Sequence, residues 1–277
     1  MTDDLEDAVA RHYQHADLTE RILKAVAAAG IDPERMAPEQ LAPVDEFHIG
    51  GRAATAHAVA RMRLAPHHHV LDVGCGLGGA TRYMAASVGC RVTGIDLSAD
   101  YIAAAQELTR RTGLSGRVDY RVASALAMPF AKGAFDAAIT LHAAMSIADR
   151  AGLYREIARV LKPGAVLCVY DVMQGAGDAL KFPVPWAETA ATSHLVTPQQ
   201  MQALLDATGF DIVEIEDRTA FARDVFQRSL SKAAAGGVPP LGLHIVMGAN
   251  AREKQHNMLA AIESGAIAPM MMVARSG

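Results

Sequence analysis

The sequence predicts an α/β protein: a mostly parallel sheet with helices on both faces. Strand-like and amphipathic helical runs alternate from about residue 66 onward. The stretch VLDVGCGLGGATRYMA, residues 70–85, reads as a strand that stops at a run of glycines and restarts as a helix. At 277 residues, 51% hydrophobic and 20% charged, the chain is long and apolar enough to bury one substantial core. Repeated β-α units imply right-handed crossovers, which put ligand sites at the carboxyl ends of the strands.

Residues 3 to about 28 carry apolar side chains at helical spacing and end at Gly30. Pro33, Pro38 and Pro43 then mark a connector that runs into VDEFHIGGRAAT and a helix up to Pro66. HHVLDV is the first strand, followed by the glycine turn and a helix from about Gly79. CRVTGID is the second strand, and the helix after it has Ser98 as N-cap and Gly113 as its stop. RVDYRVAS and FDAAITLHA supply the third and fourth strands. A helix after Asp149 ends at LKPG, and AVLCVYDVM is the fifth strand. Thr197-Pro-Gln-Gln combines a cap, a first-turn proline and a Gln that reaches back, so a helix starts there. FDIVEIEDRT makes a sixth strand and APMMMVARS a seventh. Residues 219–266 are too long for a turn between them and are expected to add a helical cap. The predicted division is an N-terminal helical lid over residues 1–60 and a ligand-binding domain over 61–277.

Composition narrows the function classes. A net charge of −4 and scattered Lys and Arg argue against nucleic acid or an anionic membrane as partner. No window approaches the roughly 18 apolar residues of a membrane span, and the acidic start lacks the apolar region of a secretory leader. Cys75, Cys90 and Cys168 form neither a disulfide framework nor a metal-binding pair. His67-His68-His69 lie at the amino end of the first strand, opposite the expected site, and read as an exposed loop. No metal is expected, a reducing cytoplasm is the expected compartment, and a homodimer is compatible with the sequence.

Gly74, Gly76 and Gly79 match G-x-G-x-x-G, the fingerprint of a pyrophosphate-binding loop. Asp72 argues otherwise, because a carboxylate two residues before the first glycine repels a pyrophosphate and attracts a cation. S-adenosylmethionine (SAM) carries an ammonium and a sulfonium and no phosphate. Asp96 ends the second strand 20 residues past Gly76, where nucleotide-binding sheets hold ribose hydroxyls.

LDVGCGLGG, VTGIDLS, ALAMPFAKGAFDAAIT and LYREIARVLKPGAVLCVYD occur in that order between residues 70 and 171. Together they resemble the class I SAM-dependent methyltransferases. The ends, HYQHADLTERIL, VDEFHIGGRAAT and FPVPWAETAATSHLVTP, are similar to small-molecule enzymes of the sarcosine/dimethylglycine N-methyltransferase type. The resemblance implies a Rossmann-like seven-stranded sheet of order 3-2-1-4-5-7-6 with an antiparallel seventh strand. It also implies that Gly74, Cys75 and Gly76 lie against the methionine part of SAM and that Asp72 lies near its ammonium. Asp96 would take the ribose diol, Leu97 would pack on adenine, and Ala125 and Leu126 would flank the ring. Many relatives carry Asp where Ser124 stands, so its contact to the adenine amino group is the one departure. His142, ending the fourth strand, would face the methionine moiety and the reaction centre.

The implied chemistry is in-line methyl transfer to a small molecule, with no metal and no covalent enzyme intermediate. A small amine is the first acceptor class and an oxygen or carbon of a cyclic metabolite the second. His142 and His48 are the candidate bases, and Met145, Trp186 and His194 the candidate acceptor contacts. Two other classes compete: an NAD-linked oxidoreductase, which Asp72 disfavours, and a SAM-binding module without catalysis.

Overall fold

The computed structural model describes residue 6, residues 17–236 and residues 239–277. Most of the expected first helix, with Tyr13, lies outside them; its described part is α1, Leu18–Ala28. Strands β1 (His69–Val73), β2 (Arg91–Asp96), β3 (Val118–Val122), β4 (Phe135–Leu141), β5 (Leu161–Gln174), β6 (Phe210–Asp217) and β7 (Ile267–Ser276) form one sheet. Its order is β3-β2-β1-β4-β5-β7-β6, and β7 runs antiparallel to both neighbours. This is the Rossmann-like sheet that the resemblance implies.

β1 sits at the centre of the sheet, paired with β2 and β4, and its apolar residues feed both faces. Val70 belongs to one core cluster and Leu71 and Val73 to the other, so the strand is buried on both faces. Helix α4 (Gly79–Ser87) follows β1, and α5 (Ala99–Arg111) follows β2 with the Ser98 side chain accepting from Tyr101 N. Asp149 caps α6 (Arg150–Val160), and the Thr197–Gln200 capping box starts α7 (Pro198–Ala207) as expected. Residues 219–266 contain α8 (Thr219–Gly236), α9 (His244–Met247) and α10 (Ala251–Glu263).

The proline-marked connector is different from expectation. Residues Pro38–Asp45 form α2, with Pro43 inside it. Pro38 occupies the first turn, where its missing N–H costs nothing, and Gln40 Oε1 accepts from Ala37 N at 2.8 Å. Leu41 and Val44 are fully buried in a core cluster shared with residues of α1 and α5, and that burial offsets the hydrogen bond lost at Pro43. Helix α3 (Gly51–Met62) then leads to β1. His69 is a β1 residue whose Nε2 lies 2.9 Å from Thr93 Oγ1, rather than part of an exposed loop. Among the described residues, no helix is long and apolar enough to cross a membrane.

Candidate active site

The turn after β1 gives the site its floor. Gly74, Gly76 and Gly78 have φ of 73°, 52° and 78°, a backbone region that side chains with a Cβ rarely adopt. A Cβ on Gly74 would also run into that of Ala143, so the chain passes close to the end of β4 only because glycine stands there. Gly74 N and Cys75 N both donate to Ile95 O, locking the turn to β2.

Asp96 accepts from Gly76 N and Ser98 N, each at 2.9 Å, so its carboxylate is fixed at the end of β2. Asp72 is 2% exposed and accepts from Thr81 Oγ1 at 2.6 Å. Burial pushes its carboxyl up to about 7, against the Thr81 hydrogen bond and with help from Glu46 and Asp96. Asp96 is raised by burial as well.

Two cavities open around these residues. The first is lined by Asp72 to Leu77, Ile95 to Ser98, Ala123, Ala125, Leu126, Leu141 to Ala143, Asp45 and Glu46. Its described lining includes six carboxylates, Glu6, Asp45, Glu46, Asp72, Asp96 and Asp149, and no Lys or Arg. Asp45 Oδ2 accepts from buried Arg82 at 2.7 Å, whereas Oδ1 has no hydrogen-bond partner among the described residues. Such a wall suits a cationic ligand and opposes a pyrophosphate.

The second cavity, of about 530 Å³, is walled by Phe47, Ile49, Met145, Trp186, Phe226 and Met258, with Arg228 and Lys232 also in its lining. Its size falls in the usual range for small-molecule sites. Trp186 is 2% exposed, and its Nε1 donates to Ser193 Oγ at 3.0 Å. The two cavities share a wall of Glu46, Phe47, His48 and His142.

His142 has φ of 53°, which is unusual for a residue with a side chain. Its backbone N donates to Tyr170 O at 2.8 Å, and its Nδ1 lies 3.1 Å from the same oxygen. An acceptor there makes Nδ1 the protonated nitrogen, so Nε2 receives the longer 3.4 Å bond from Ile49 N. The His48 ring lies 6.0 Å from that of His142. Burial depresses both rings, His48 to about 4 and His142 to about 3, so both are neutral at pH 7.

Asp72, Gly74, Cys75, Gly76, Asp96, Leu97, Ala125, Leu126 and His142 therefore converge on one cavity, and Met145 and Trp186 on the other. Two expected residues do not. Ser124 lies beside the first cavity without lining it; its Oγ donates to Glu6 Oε1 at 2.6 Å and accepts from Leu126 N. His194 lines neither cavity, because its backbone is tied to Met145 O and to the Arg150 guanidinium behind the wall. Sequence reasoning missed Glu6, Asp45 and Glu46 as cavity residues. The Asp45-Glu46 pair directly before Phe47-His48 was the available signal.

Residues 71–169 match the protein family described as "Methyltransferase domain". An O-methyltransferase of Aspergillus nomiae is 30% identical over 193 residues, spanning 67% of this chain and 80% of that protein. Phosphoethanolamine N-methyltransferase 1 of Arabidopsis thaliana is 33% identical over 184 residues, spanning 66% of this chain but only 37% of that protein. Among solved structures, geranyl diphosphate C-methyltransferase from Streptomyces coelicolor A3(2) shares the fold at 17% identity. Its TM-score is 0.73, with 99% of this chain and 98% of that chain covered. The fold and the acid-lined cleft at the carboxyl ends of β1 and β2 define a small-molecule transferase of the Rossmann-like type. The chain belongs to the SAM-dependent methyltransferases, and it is an enzyme of that family.

Proposed function

We propose that the protein methylates an oxygen of an uncharged, largely apolar small molecule held in the second cavity, using SAM held in the first. One observation carries the reading: two cavities of opposite character share the wall made by Glu46, Phe47, His48 and His142. The residues of the first cavity fit the donor. Asp72 and Asp45 Oδ1, which has no hydrogen-bond partner among the described residues, offer negative charge to an ammonium, Asp96 has lone pairs left for a ribose diol, and Leu97, Ala125 and Leu126 offer an apolar slot for a flat ring. Glu6 supplies a carboxylate beside Ser124, the position where the family resemblance leads one to look for Asp.

SAM supplies an activated methyl group and leaves as a neutral thioether. The protein's part is to orient the acceptor, exclude water and take up a proton. Orientation of two bound reactants is worth up to ~7–11 kcal/mol in the best intramolecular models. The apolar wall of Phe47, Ile49, Trp186 and Phe226 excludes water. As the acceptor oxygen forms its bond to the methyl carbon, the C–S pair stays on sulfur and the hydroxyl proton passes to a neutral imidazole. Of the two rings, His48 is better suited as base, since the Nε2 lone pair of His142 already receives Ile49 N–H. His142 would then shape the wall between donor and acceptor.

The small amine expected first from sequence ranks behind a hydroxyl. An amine arrives as an ammonium, and the one carboxylate among the described residues of the second cavity, Glu46, is already bound by Arg52 and Thr55. A carbon acceptor in a cyclic metabolite remains the second reading. An acid-lined donor cleft disfavours a dinucleotide, and a second cavity that shares a wall with that cleft disfavours a non-catalytic module. The test is a screen of hydroxylated aromatic and polyketide-like compounds against small primary and secondary amines, scored by S-adenosylhomocysteine release and product mass. Methylation confined to the amines would overturn the acceptor reading.

A further inference from the structure

Around His48 the structure holds a hydrogen-bond chain that none of the candidate site residues explains. Thr55 Oγ1, fully buried on α3, donates to Glu46 Oε2 at 2.6 Å. With its proton committed there, Thr55 Oγ1 can only accept from His48 Nε2, which lies 3.0 Å away. Gly51 O, also an acceptor, is 3.1 Å from the same nitrogen. Two acceptors on Nε2 require the proton to sit there. The lone pair is therefore on Nδ1, for which the described residues provide no hydrogen bond, in a ring that lines both cavities.

We propose that Glu46 and Thr55 are positioning residues that hold His48 as the Nε2–H tautomer and present its Nδ1 to the methyl acceptor. The proposal deepens the proposed function and rests on its assignment of His48 as the base. In the transfer step the acceptor hydroxyl gives its proton to Nδ1 as the oxygen–carbon bond forms and the carbon–sulfur bond breaks. The imidazolium so formed keeps its Nε2–H on Thr55 Oγ1 and Gly51 O, and the Glu46 carboxylate, 3.6 Å from Nε2, stabilises it. The proton leaves to solvent with the product. This is the logic by which a buried acid orients a catalytic imidazole, here with a hydroxyl inserted between them.

The groups facing His48 from every side bear on its titration. Burial disfavours the charged ring most; the Gly51 carbonyl and Asp45 favour it, and Arg52, whose Nε donates to Glu46 Oε1 at 2.6 Å, opposes it. His142 and Tyr170 face it as neutral rings, 6.0 and 6.4 Å away between centroids. Burial raises the Glu46 carboxyl, and the Arg52 and Thr55 donors work against that rise by binding its charged form.

The direct test is the ¹⁵N imidazole spectrum of His48 in the full-length protein, with and without S-adenosylhomocysteine. The expected result is an Nε2–H tautomer in the wild type and a mixed or reversed tautomer in Thr55→Val, which keeps the shape and removes the hydroxyl. Thr55→Ser should restore the wild-type signal. An Nδ1–H tautomer in the wild type, or the same tautomer in Thr55→Val, overturns the proposal. With 2-naphthol as methyl acceptor, Thr55→Val should lower kcat by ~10²-fold with SAM affinity intact, and should move the acid limb of the pH profile to lower pH. Thr55→Ser should recover most of that loss. Equal losses in both variants would make Thr55 merely structural and overturn the positioning role. A wild type that never methylates 2-naphthol counts against the hydroxyl-acceptor reading alone, because the tautomer result does not depend on turnover.

Discussion

Replacing Asp72 by Asn should separate cofactor binding from stability, with effects of opposite sign. In the free protein the Asp72 carboxyl is raised to about 7, chiefly by burial, from an ordinary value of 3.8. Such a raised acid leaves stability intact below 3.8, and that contribution is lost progressively as pH rises from 3.8 through about 7. A bound cation reverses the preference, since it needs the carboxylate. At pH 5 only ~1% of Asp72 is ionised, against about half at pH 7, so SAM affinity should weaken by ~50-fold between pH 7 and pH 5. That ratio corresponds to ~2.3 kcal/mol. Asn still accepts from Thr81 but carries no charge, so Asp72→Asn should bind SAM weakly at pH 7 and lose most of the pH dependence. The same variant should melt at a higher temperature than the wild type at pH 8 without ligand, because a buried charge has gone. Calorimetric titration at pH 5, 6 and 7, with thermal melts at pH 8, reads both effects. Wild-type affinity together with an unchanged pH slope in Asp72→Asn would refute the reasoning.

Other perturbations address the rest of the site. Arg82→Met leaves the Asp45 carboxylate buried without its cation and should cost ~3–5 kcal/mol in denaturant unfolding. The depressed values of His48 and His142 mean that their neutral forms support the fold above pH 6.5. That support should fall away as pH drops toward about 4 and about 3, and His142→Gln should make the acid melt shallower. Trp186→Ala should raise the acceptor KM and leave SAM affinity unchanged, because Trp186 lines only the second cavity.

The sheet was legible because its signals are local. Apolar runs, the Thr197–Gln200 box and the glycine turn each point to one conformation, and Asp72 and Asp96 sit at strand ends that the alternation itself locates. The acceptor side was not. Helix α2 contains a proline that reads as a breaker, and the burial of Leu41 and Val44 in a core shared with distant elements is not displayed by the local sequence. The second cavity combines α8, the end of β4 and the segment around Trp186, so no single stretch displays it. His194 shows the converse difficulty: adjacency to a pocket segment in sequence does not decide which side of the wall a ring occupies. Thr55 lies seven residues after His48, yet the hydrogen bond between them depends on how the Gly50-Gly51 bend enters α3.

A crystal structure with S-adenosylhomocysteine bound would test the central claim most directly. The thioether sulfur is expected beside Gly74 and facing the His48–His142 wall, with the ribose on Asp96 and an open path into the cavity of Trp186 and Phe226. A nucleoside lodged in that second cavity, or a sulfur turned away from the two histidines, would contradict it.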